Sequence, residues 1–261
     1  MILRRFTKHI TEQNWFAVTL DVLVVIVGIY LGLQVTNWQE DLKDDVTSRQ
    51  YLQRLNDDLA SDVRIMKLRV DFWRNVSRYI NHALTYAEQV DHHEAKKTED
   101  YWPYLLAFFH GSQVSPFEVT NITYNELQQA GQLALIRKQS LRTQLAVYYS
   151  FNEGIAASAL LRHTPPYRNY IRGKIPSKIT KYIWKHCFKV SDFEDQQLLD
   201  CDSPITNEEV KILLDEIMLD KLVLQYLRSW GSTQTSANQL IVSNMLSANL
   251  IMQLVQSEIH E

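Results

Sequence analysis

The chain contains few residues that end or bend secondary structure, with 7 glycines and 6 prolines among 261 residues. Proteins hold on average about 7% glycine and about 5% proline, so both are at less than half of their usual share. Few turn residues mean few turns and therefore long elements. No segment shows the alternating hydrophobicity of a strand. The sequence predicts an all-α fold.

Cysteine and net charge are also low, which excludes several classes of protein. Two cysteines cannot build a disulfide-rich domain, and their spacing matches no zinc motif. The net charge of −3 leaves no basic surplus for binding nucleic acid. Cys187 and Cys201 are a candidate disulfide if this part of the chain lies outside the cytoplasm. The alternative is two unrelated buried thiols.

Motifs for catalysis and cofactor binding are missing as well. The chain has no phosphate-binding glycine loop, no serine-hydrolase motif, no HExxH and no CxxC. His92, His93 and Glu94 are consecutive in a polar loop, where neighbouring side chains point apart and make a poor ligand set. We therefore predict no catalytic residue, no metal ligand and no cofactor. An enzyme without a recognisable motif is an alternative.

One long hydrophobic run is present, residues 15–35, with the sequence WFAVTLDVLVVIVGIYLGLQV. A bilayer core needs about 20 mostly apolar residues, and Asp21 is the only ionisable residue in this run. The run is too long for the core of a signal peptide and lacks a small-x-small cleavage site. We predict a transmembrane helix in the lipid bilayer, with Trp15 and Trp38 as anchors at the two interfaces.

Basic residues predict the orientation of this helix. Three of them lie just before the run: Arg4, Arg5 and Lys8. Within about ten positions after the run only Lys43 is basic. The positive-inside rule then places residues 1–14 in the cytoplasm and the C-terminal domain in the periplasm, with the anchor in a bacterial inner membrane. A wider window adds two arginines after the run and weakens this bias.

Four residues of the run share one stripe of the helix at 100° per residue: Asp21, Val25, Gly28 and Gly32. Glycines four positions apart let two helices approach closely in lipid. A carboxylate in a membrane helix is costly unless it faces protein or water. The stripe is therefore a predicted helix–helix interface, for self-association or for another membrane protein. The alternative is an acid that reaches the membrane interface or stays protonated, beside two incidental glycines.

The apolar pattern continues after the run. From Leu52 to Ala87, apolar side chains recur at spacings of three and four, and neither proline nor glycine interrupts residues 33–102. We predict a long amphipathic juxtamembrane helix over residues 36–90, packed with a helical-bundle domain over residues 91–261. Its other face carries a charge run that we interpret as solvated: Arg54, Asp57, Asp58, Asp62, Arg64, Lys67 and Arg69.

Local signals predict helix ends within the domain. Two segments have capping-box spacing: Thr123 with Glu126, and Thr206 with Glu209. The first helix is expected to stop at Gly131. The last helical region is predicted from Asn207 to Ile259, with a break near Gly231.

Two blocks of the chain resemble a known family. Residues 21–29, DVLVVIVGI, followed by residues 33–38, LQVTNW, are similar to the opening of the DUF6090-like family of uncharacterised bacterial single-pass membrane proteins. Asp21 stands where that family usually has glutamate. The second block is similar at these positions: Tyr124, Asn125, Glu126, Leu127, Gly131, Leu135, Ile136, Leu141, Arg142, Tyr148 and Tyr149. The resemblance implies a single-pass anchor and a helical domain, and it carries no activity.

Together these features predict a membrane-anchored scaffold, sensor or interaction protein without catalytic activity. Such a protein would be an oligomer or an accessory subunit of a membrane complex. A second resemblance provides an alternative, because an acid followed by a Val/Leu/Ile run is similar to the single helix of ion-driven stator proteins. In those proteins the acid carries the proton, which would be the role of Asp21. The sequence after residue 40 does not resemble their peptidoglycan-binding domain.

Overall fold

The computed structural model describes residues 15–91, 100–154, 164–191 and 195–260. Within these ranges the fold is all-α apart from one short hairpin, as the scarcity of glycine and proline predicts. The helices in the described ranges are α1 (Trp15–Asp91), α2 (Trp102–His110), α3 (Ile122–Gln129), α4 (Gln139–Gly154), α5 (Pro166–Lys174), α6 (Ser177–His186), α7 (Asn207–Met218) and α8 (Leu222–Ile259). A 3₁₀ turn, Leu133–Leu135, lies between α3 and α4, and the hairpin consists of β1 (Phe188–Val190) and β2 (Gln196–Leu198).

The chain divides into two compact units, Met1–Tyr51 and Leu52–Glu261. The described part of the first unit, residues 15–51, lies entirely in α1. From Val22 to Asp44 every side chain is exposed, including the long apolar run. The first unit therefore has no apolar core of its own along this run.

Two helices in the described residues are long and apolar enough to cross a membrane. The first is α1 from Val22 to Val90, and none of its most apolar window is buried. The second is α8, of whose most apolar window 28% is buried inside the protein. A core helix of a soluble protein meets the same criteria of length and composition. Exposure therefore distinguishes the apolar window of α1 from that of α8.

The core of the second unit is built on a heptad pattern, in which buried positions alternate between spacings of three and four. On α1 these positions are Leu52, Leu55, Leu59, Asp62, Met66, Arg69, Trp73, Val76, Ile80, Ala83 and Ala87. On α8 they are Val223, Leu227, Trp230, Gln234, Ala237, Ile241, Asn244, Ala248, Ile251 and Val255. Both helices therefore present one continuous stripe to the interior of this unit.

Within the second unit, α8 runs antiparallel to α1. Three side-chain pairs show the direction: Glu88 with Arg228, Ser77 with Asn238, and Asn56 with Gln256. The predicted break near Gly231 is wrong, because α8 continues through it and a Cβ there would lie 3.1 Å from Ile80 Cγ2. Glycine allows α8 to pack closely against α1 at this position. The helical region is interrupted earlier, between α7 and α8. There the Asp220 carboxylate accepts a hydrogen bond from the Leu222 N–H (3.1 Å).

Two helix ends follow the local sequence. The capping box at the start of α7 is confirmed, since the Thr206 hydroxyl accepts from the Glu209 N–H (3.3 Å) and the Glu209 carboxylate accepts from the Thr206 N–H (2.8 Å). After α3, Gly131 has a φ of 68° and the Gln132 N–H donates to the Leu127 carbonyl (2.9 Å). This is the glycine-terminated helix end that the sequence predicts.

The other predicted capping box is wrong. The helix α3 begins at Ile122, so Thr123 lies inside it, and no side chain at Asn121 caps the helix. The Thr123 N–H donates instead to Asp58 Oδ2 of α1 (3.3 Å), and the Glu126 carboxylate pairs with an arginine of α1. Tertiary contacts with α1 thus take the place of the local cap.

The charge run of α1 is solvated only in part. Asp62 has no exposed surface and Arg69 is 5% exposed, so the prediction of a solvated face is wrong for both. Both occupy heptad positions that face the segment between α2 and α3. There Asp62 accepts from the Thr120 N–H (2.9 Å), and Arg69 Nε donates to the Pro116 carbonyl (3.1 Å).

The turn after α2 is held in place by side chains from α1 and α8. Trp73 Nε1 donates to the Ser115 carbonyl and Trp230 Nε1 donates to the Gly111 carbonyl, each over 2.8 Å. A buried indole needs such a partner for its N–H group. The two tryptophans therefore fix the backbone of residues 111–115 against both long helices.

The hairpin is a feature that the sequence does not predict. Phe188 lies opposite Leu198 and Val190 opposite Gln196, in antiparallel register. Strands of three residues are too short for alternation to be visible in a sequence. A disulfide bond joins Cys187, just before β1, to a cysteine just after β2, with 5.3 Å between their Cα atoms.

Candidate functional site

The predicted helix–helix interface lies on the exposed part of α1. Val25 is 59% exposed, and nothing lies within 4 Å of a Cβ built on Gly28 or Gly32. The backbone of Asp21 is helical, and its side chain lies outside the described part of the structure. Three of the four predicted interface positions are thus placed on an uncovered surface of one helix.

Packing among the described residues does not explain these two glycines. A Cβ on Gly111 would lie 2.9 Å from the Ala107 carbonyl, and one on Gly231 would lie 3.1 Å from a side chain of α1. Neighbouring atoms of the same chain thus exclude a Cβ at Gly111 and leave little room for one at Gly231. Among the described residues Gly28 and Gly32 meet no such neighbour, so contacts within that part of the chain do not require glycine at either position.

The predicted membrane anchors are described only in part. Trp38 is 64% exposed on α1. The three basic residues before the run, Arg4, Arg5 and Lys8, lie outside the described residues, as does the side chain of Trp15. Their role at the membrane interface stays a prediction.

A buried carboxylate of α1, Asp62, bonds to α4 and to the segment before α3. Asp62 Oδ2 accepts from the Tyr148 hydroxyl (2.9 Å), while its other oxygen accepts from the Thr120 N–H. Burial raises the pKa of the Asp62 carboxyl, and the hydrogen bonds from Thr120 and Tyr148 lower it. The carboxyl has no exposed surface, and its hydrogen bonds join the segment before α3 and helix α4 to α1.

The disulfide loop is docked on α1 and α2 by residues 198–201, which we call the strap. Three hydrogen bonds hold it: Tyr79 OH to Asp200 Oδ1 (2.7 Å), Trp102 Nε1 to the Cys201 carbonyl (2.7 Å), and His110 Nε2 to the Leu199 carbonyl (3.2 Å). Burial raises the pKa of Tyr79 to about 12, and the hydrogen bond to Asp200 acts in the same direction. The strap therefore joins two helices that precede it by about 90 residues or more.

The histidine that bonds to the strap, His110, is shielded from water. It has no exposed surface, and its ring lies 4.7 Å from the Tyr79 ring. Burial lowers the pKa of His110 to about 4, against the raising effect of the hydrogen bond to Leu199. The imidazole is therefore neutral at pH 7, and its Nδ1 atom is buried without a partner.

The described residues contain no cluster of potential metal ligands. No group of three or more His, Cys, Asp or Glu side chains able to hold a metal is found among them. A surface depression of about 700 Å³ between α3 and α4, and one of about 780 Å³ between α1 and α8, are lined without carboxylate, imidazole or thiol. His92, His93 and Glu94 lie outside the described residues.

The structure shows tertiary hydrogen bonds of polar residues that the sequence interpretation assigned to solvent. Asp58, Asp62 and Arg69 were grouped with a solvated face, yet each bonds to the segment between α2 and α3 or to α3 itself. A signal was present for two of them. Leu55, Asp62, Arg69, Val76 and Ala83 are seven residues apart, so the heptad itself places the two charges inside.

The fold and its surfaces define an all-α protein with a fully exposed apolar helical segment. No protein-family model, curated protein or solved structure matches the chain. The resemblance of residues 21–38 and of the block from Tyr124 to Tyr149 to the DUF6090-like family therefore stays a prediction.

Proposed function

We propose that this chain is a single-pass protein of the bacterial inner membrane that acts by association rather than by catalysis. In this proposal residues 15–35 span the bilayer, residues 1–14 are cytoplasmic, and the unit Leu52–Glu261 is a helical bundle in the periplasm. The stripe of Val25, Gly28 and Gly32, together with Asp21, contacts a second copy of the chain or another membrane protein.

The observation that supports anchoring is the uncovered apolar surface of α1. Its large apolar side chains are 45–62% exposed: Leu20, Val22, Leu23, Val24, Val25, Ile26, Val27, Ile29, Tyr30, Leu31, Leu33 and Val35. Fully burying one such side chain is worth roughly 1.5–3 kcal/mol, so leaving all of them in water costs on the order of 20 kcal/mol. Lipid is the covering that matches a run of this length.

The disulfide supports the periplasmic placement of the second unit. Structural disulfides persist in oxidising compartments such as the bacterial periplasm and are rare in the cytosol. The bond between Cys187 and Cys201 lies within Leu52–Glu261. A periplasmic second unit is also the orientation that the basic residues before the apolar run predict.

Membrane extraction and cross-linking of the full chain in bacterial membranes test both parts of the proposal. We expect the chain to remain in the membrane pellet after an alkaline carbonate wash, because the apolar run inserts. We expect Gly28→Leu and Gly32→Leu to lower cross-linked dimer or complex by about tenfold, the equivalent of ~1.4 kcal/mol. Tyr30→Leu, on the opposite face of the helix, is the matched control and keeps wild-type association.

The two parts of the proposal fail separately. A chain that the wash releases contradicts the anchor. A chain that is retained, but whose glycine variants associate as well as wild type, keeps the anchor and contradicts the interface.

A further inference from the structure

Two arginines of α5 lie one helical turn apart and hydrogen-bond to the same residue. Arg168 Nη1 donates to the Ser112 carbonyl (3.0 Å), and Arg172 Nε donates to the Ser112 hydroxyl (2.9 Å). Arg168 Nη1 also donates to Gln113 Oε1 (3.3 Å). Both arginines are half-buried, whereas Ser112 and Gln113 are buried in the turn that the tryptophans hold. The two guanidinium groups thus converge on one fixed segment of backbone.

Neither arginine has a carboxylate partner in the ranges that the structure describes. Their hydrogen-bond acceptors are all neutral, whereas Arg228 pairs with Glu88 at 3.0 Å. Burial lowers the pKa of Arg172 to about 9, and the charge of Arg168 contributes in the same direction. Burial also lowers the pKa of Arg168. Removing a cation from water without a counter-charge is unfavourable. A bound anion would compensate the charges of these two arginines.

Hydrogen-bond donors remain unused beside these charges. Arg172 Nη2 and Gln113 Nε2 are buried and have no partner, and Gln113 is only 3% exposed. The guanidinium carbon of Arg172 lies 4.7 Å from the ring centroid of Phe109 and 5.2 Å from that of Trp184. Both distances are within the range of a cation–π contact, and Nη2 of the same group remains without a hydrogen-bond partner. What this cluster lacks is an acceptor that carries negative charge.

We propose that Arg168, Arg172 and Gln113 bind a small oxyanion, a phosphate or a carboxylate group. Guanidinium groups donate in parallel pairs to the oxygens of these anions, and charge-assisted bonds are about twice as strong as neutral ones. A cation or an apolar ligand would leave both the positive charge and the donors uncompensated. The site lies within Leu52–Glu261 and does not depend on the proposed membrane association.

The test compares unfolding midpoints of the full chain in detergent micelles, measured by circular dichroism. Three salts are used at equal ionic strength: sodium phosphate, sodium acetate and sodium chloride. An anion that binds only the folded state raises its stability by mass action. We expect phosphate or acetate to raise the midpoint by roughly 3 °C or more over chloride. Which of the two does so identifies the preferred oxyanion.

Variants separate binding from general salt effects. Arg168→Gln and Arg172→Gln are expected to abolish the difference between the oxyanion and chloride, each measured against its own midpoint in chloride. Arg228→Gln, which removes an exposed arginine that pairs with Glu88, is the control and keeps that difference. If a glutamine variant does not fold, Arg172→Lys replaces it and is expected to reduce the difference, because a lysine cannot donate in parallel pairs. Equal wild-type midpoints in all three salts, or an undiminished difference in the arginine variants, overturn the site.

Discussion

At the scale of single residues, the second unit places polar groups at positions where a heptad normally has apolar ones. Asp62 and Arg69 on α1, and Gln234 and Asn244 on α8, are all at most 5% exposed. Asp62 and Arg69 are satisfied by the backbone of the segment between α2 and α3. Buried polar groups with partners specify which segment packs where, since a shifted neighbour would leave them unpaired.

The buried imidazole of His110 makes the stability of the folded chain depend on pH. The pKa of its imidazole is about 4 in the folded chain, below the ordinary value of 6.5, because the ring is buried. Between these values the unfolded chain binds more protons at this residue, so the contribution of the neutral His110 to stability is full above pH 6.5 and is lost as pH falls towards 4. The difference in pKa corresponds to about 3 kcal/mol.

We expect the free energy of unfolding of His110→Gln to fall less steeply between pH 7 and pH 4 than that of wild type. The glutamine amide can still donate to the Leu199 carbonyl, but it does not titrate. Urea unfolding at pH 7, 5.5 and 4 measures the slope. His186→Gln removes an exposed histidine and is expected to leave the wild-type slope intact. A His110→Gln variant whose stability falls as steeply as that of wild type would show that other groups cause the loss of stability at low pH.

At the scale of elements, the packing of α8 against α1 decides where helices continue. Gly231 looks like a helix breaker in the sequence, yet it lies within a helix of 38 residues. Its missing side chain makes room for Ile80 of α1, so a cost in helix propensity is offset by close packing. At Gly173 of α5, by contrast, a Cβ would meet no atom within 4 Å, so only helix propensity acts there.

This contrast predicts opposite effects for the same substitution at two helical glycines. Gly231→Leu is expected to lower the free energy of unfolding by about 1–3 kcal/mol, because the new side chain overpacks the contact with Ile80. Gly173→Leu is expected to leave it unchanged or raise it by about 0.5 kcal/mol, because leucine is the better helix former. Denaturant unfolding of the two full-length variants measures the difference. Equal effects at both positions would contradict the close packing of α8 on α1.

At the scale of the whole molecule, the second unit is closed by contacts between distant parts of the chain. The strap, residues 198–201, bonds to α1 and α2, and a disulfide fixes the loop that carries it. The loop joined by the disulfide has a sequence separation of 14 residues. In the chain-entropy account a loop of about 15 residues contributes roughly 3 kcal/mol.

Reduction is therefore expected to lower the stability of the second unit by about 3 kcal/mol. A thermal melt of the full chain with and without reductant measures this change. The double variant Cys187→Ser/Cys201→Ser should begin at the lower stability and show no response to reductant. Two thiols that react with a labelling reagent in the unreduced wild-type chain would contradict the bond.

The sequence by itself determined the helical class of this protein and two of its helix ends. Scarce glycine and proline and the three–four spacing from Leu52 onward predicted an all-α fold, because helix formation and amphipathic patterning are local properties. The Thr206 capping box and the stop at Gly131 were predicted for the same reason. The helix–helix stripe of Asp21, Val25, Gly28 and Gly32 remains a prediction of the sequence that one chain cannot test.

Only the tertiary structure decided which local signals prevail. Asp58 replaces the expected cap at Thr123, and contact with Ile80 keeps Gly231 inside a helix. Arg168 and Arg172 look like ordinary surface charges in the sequence, and they become a candidate anion site only when Ser112 and Gln113 lie beneath them. The physical reason is common to all of these cases, since the deciding partner lies tens of residues away and contacts of that range leave no periodic trace in a sequence.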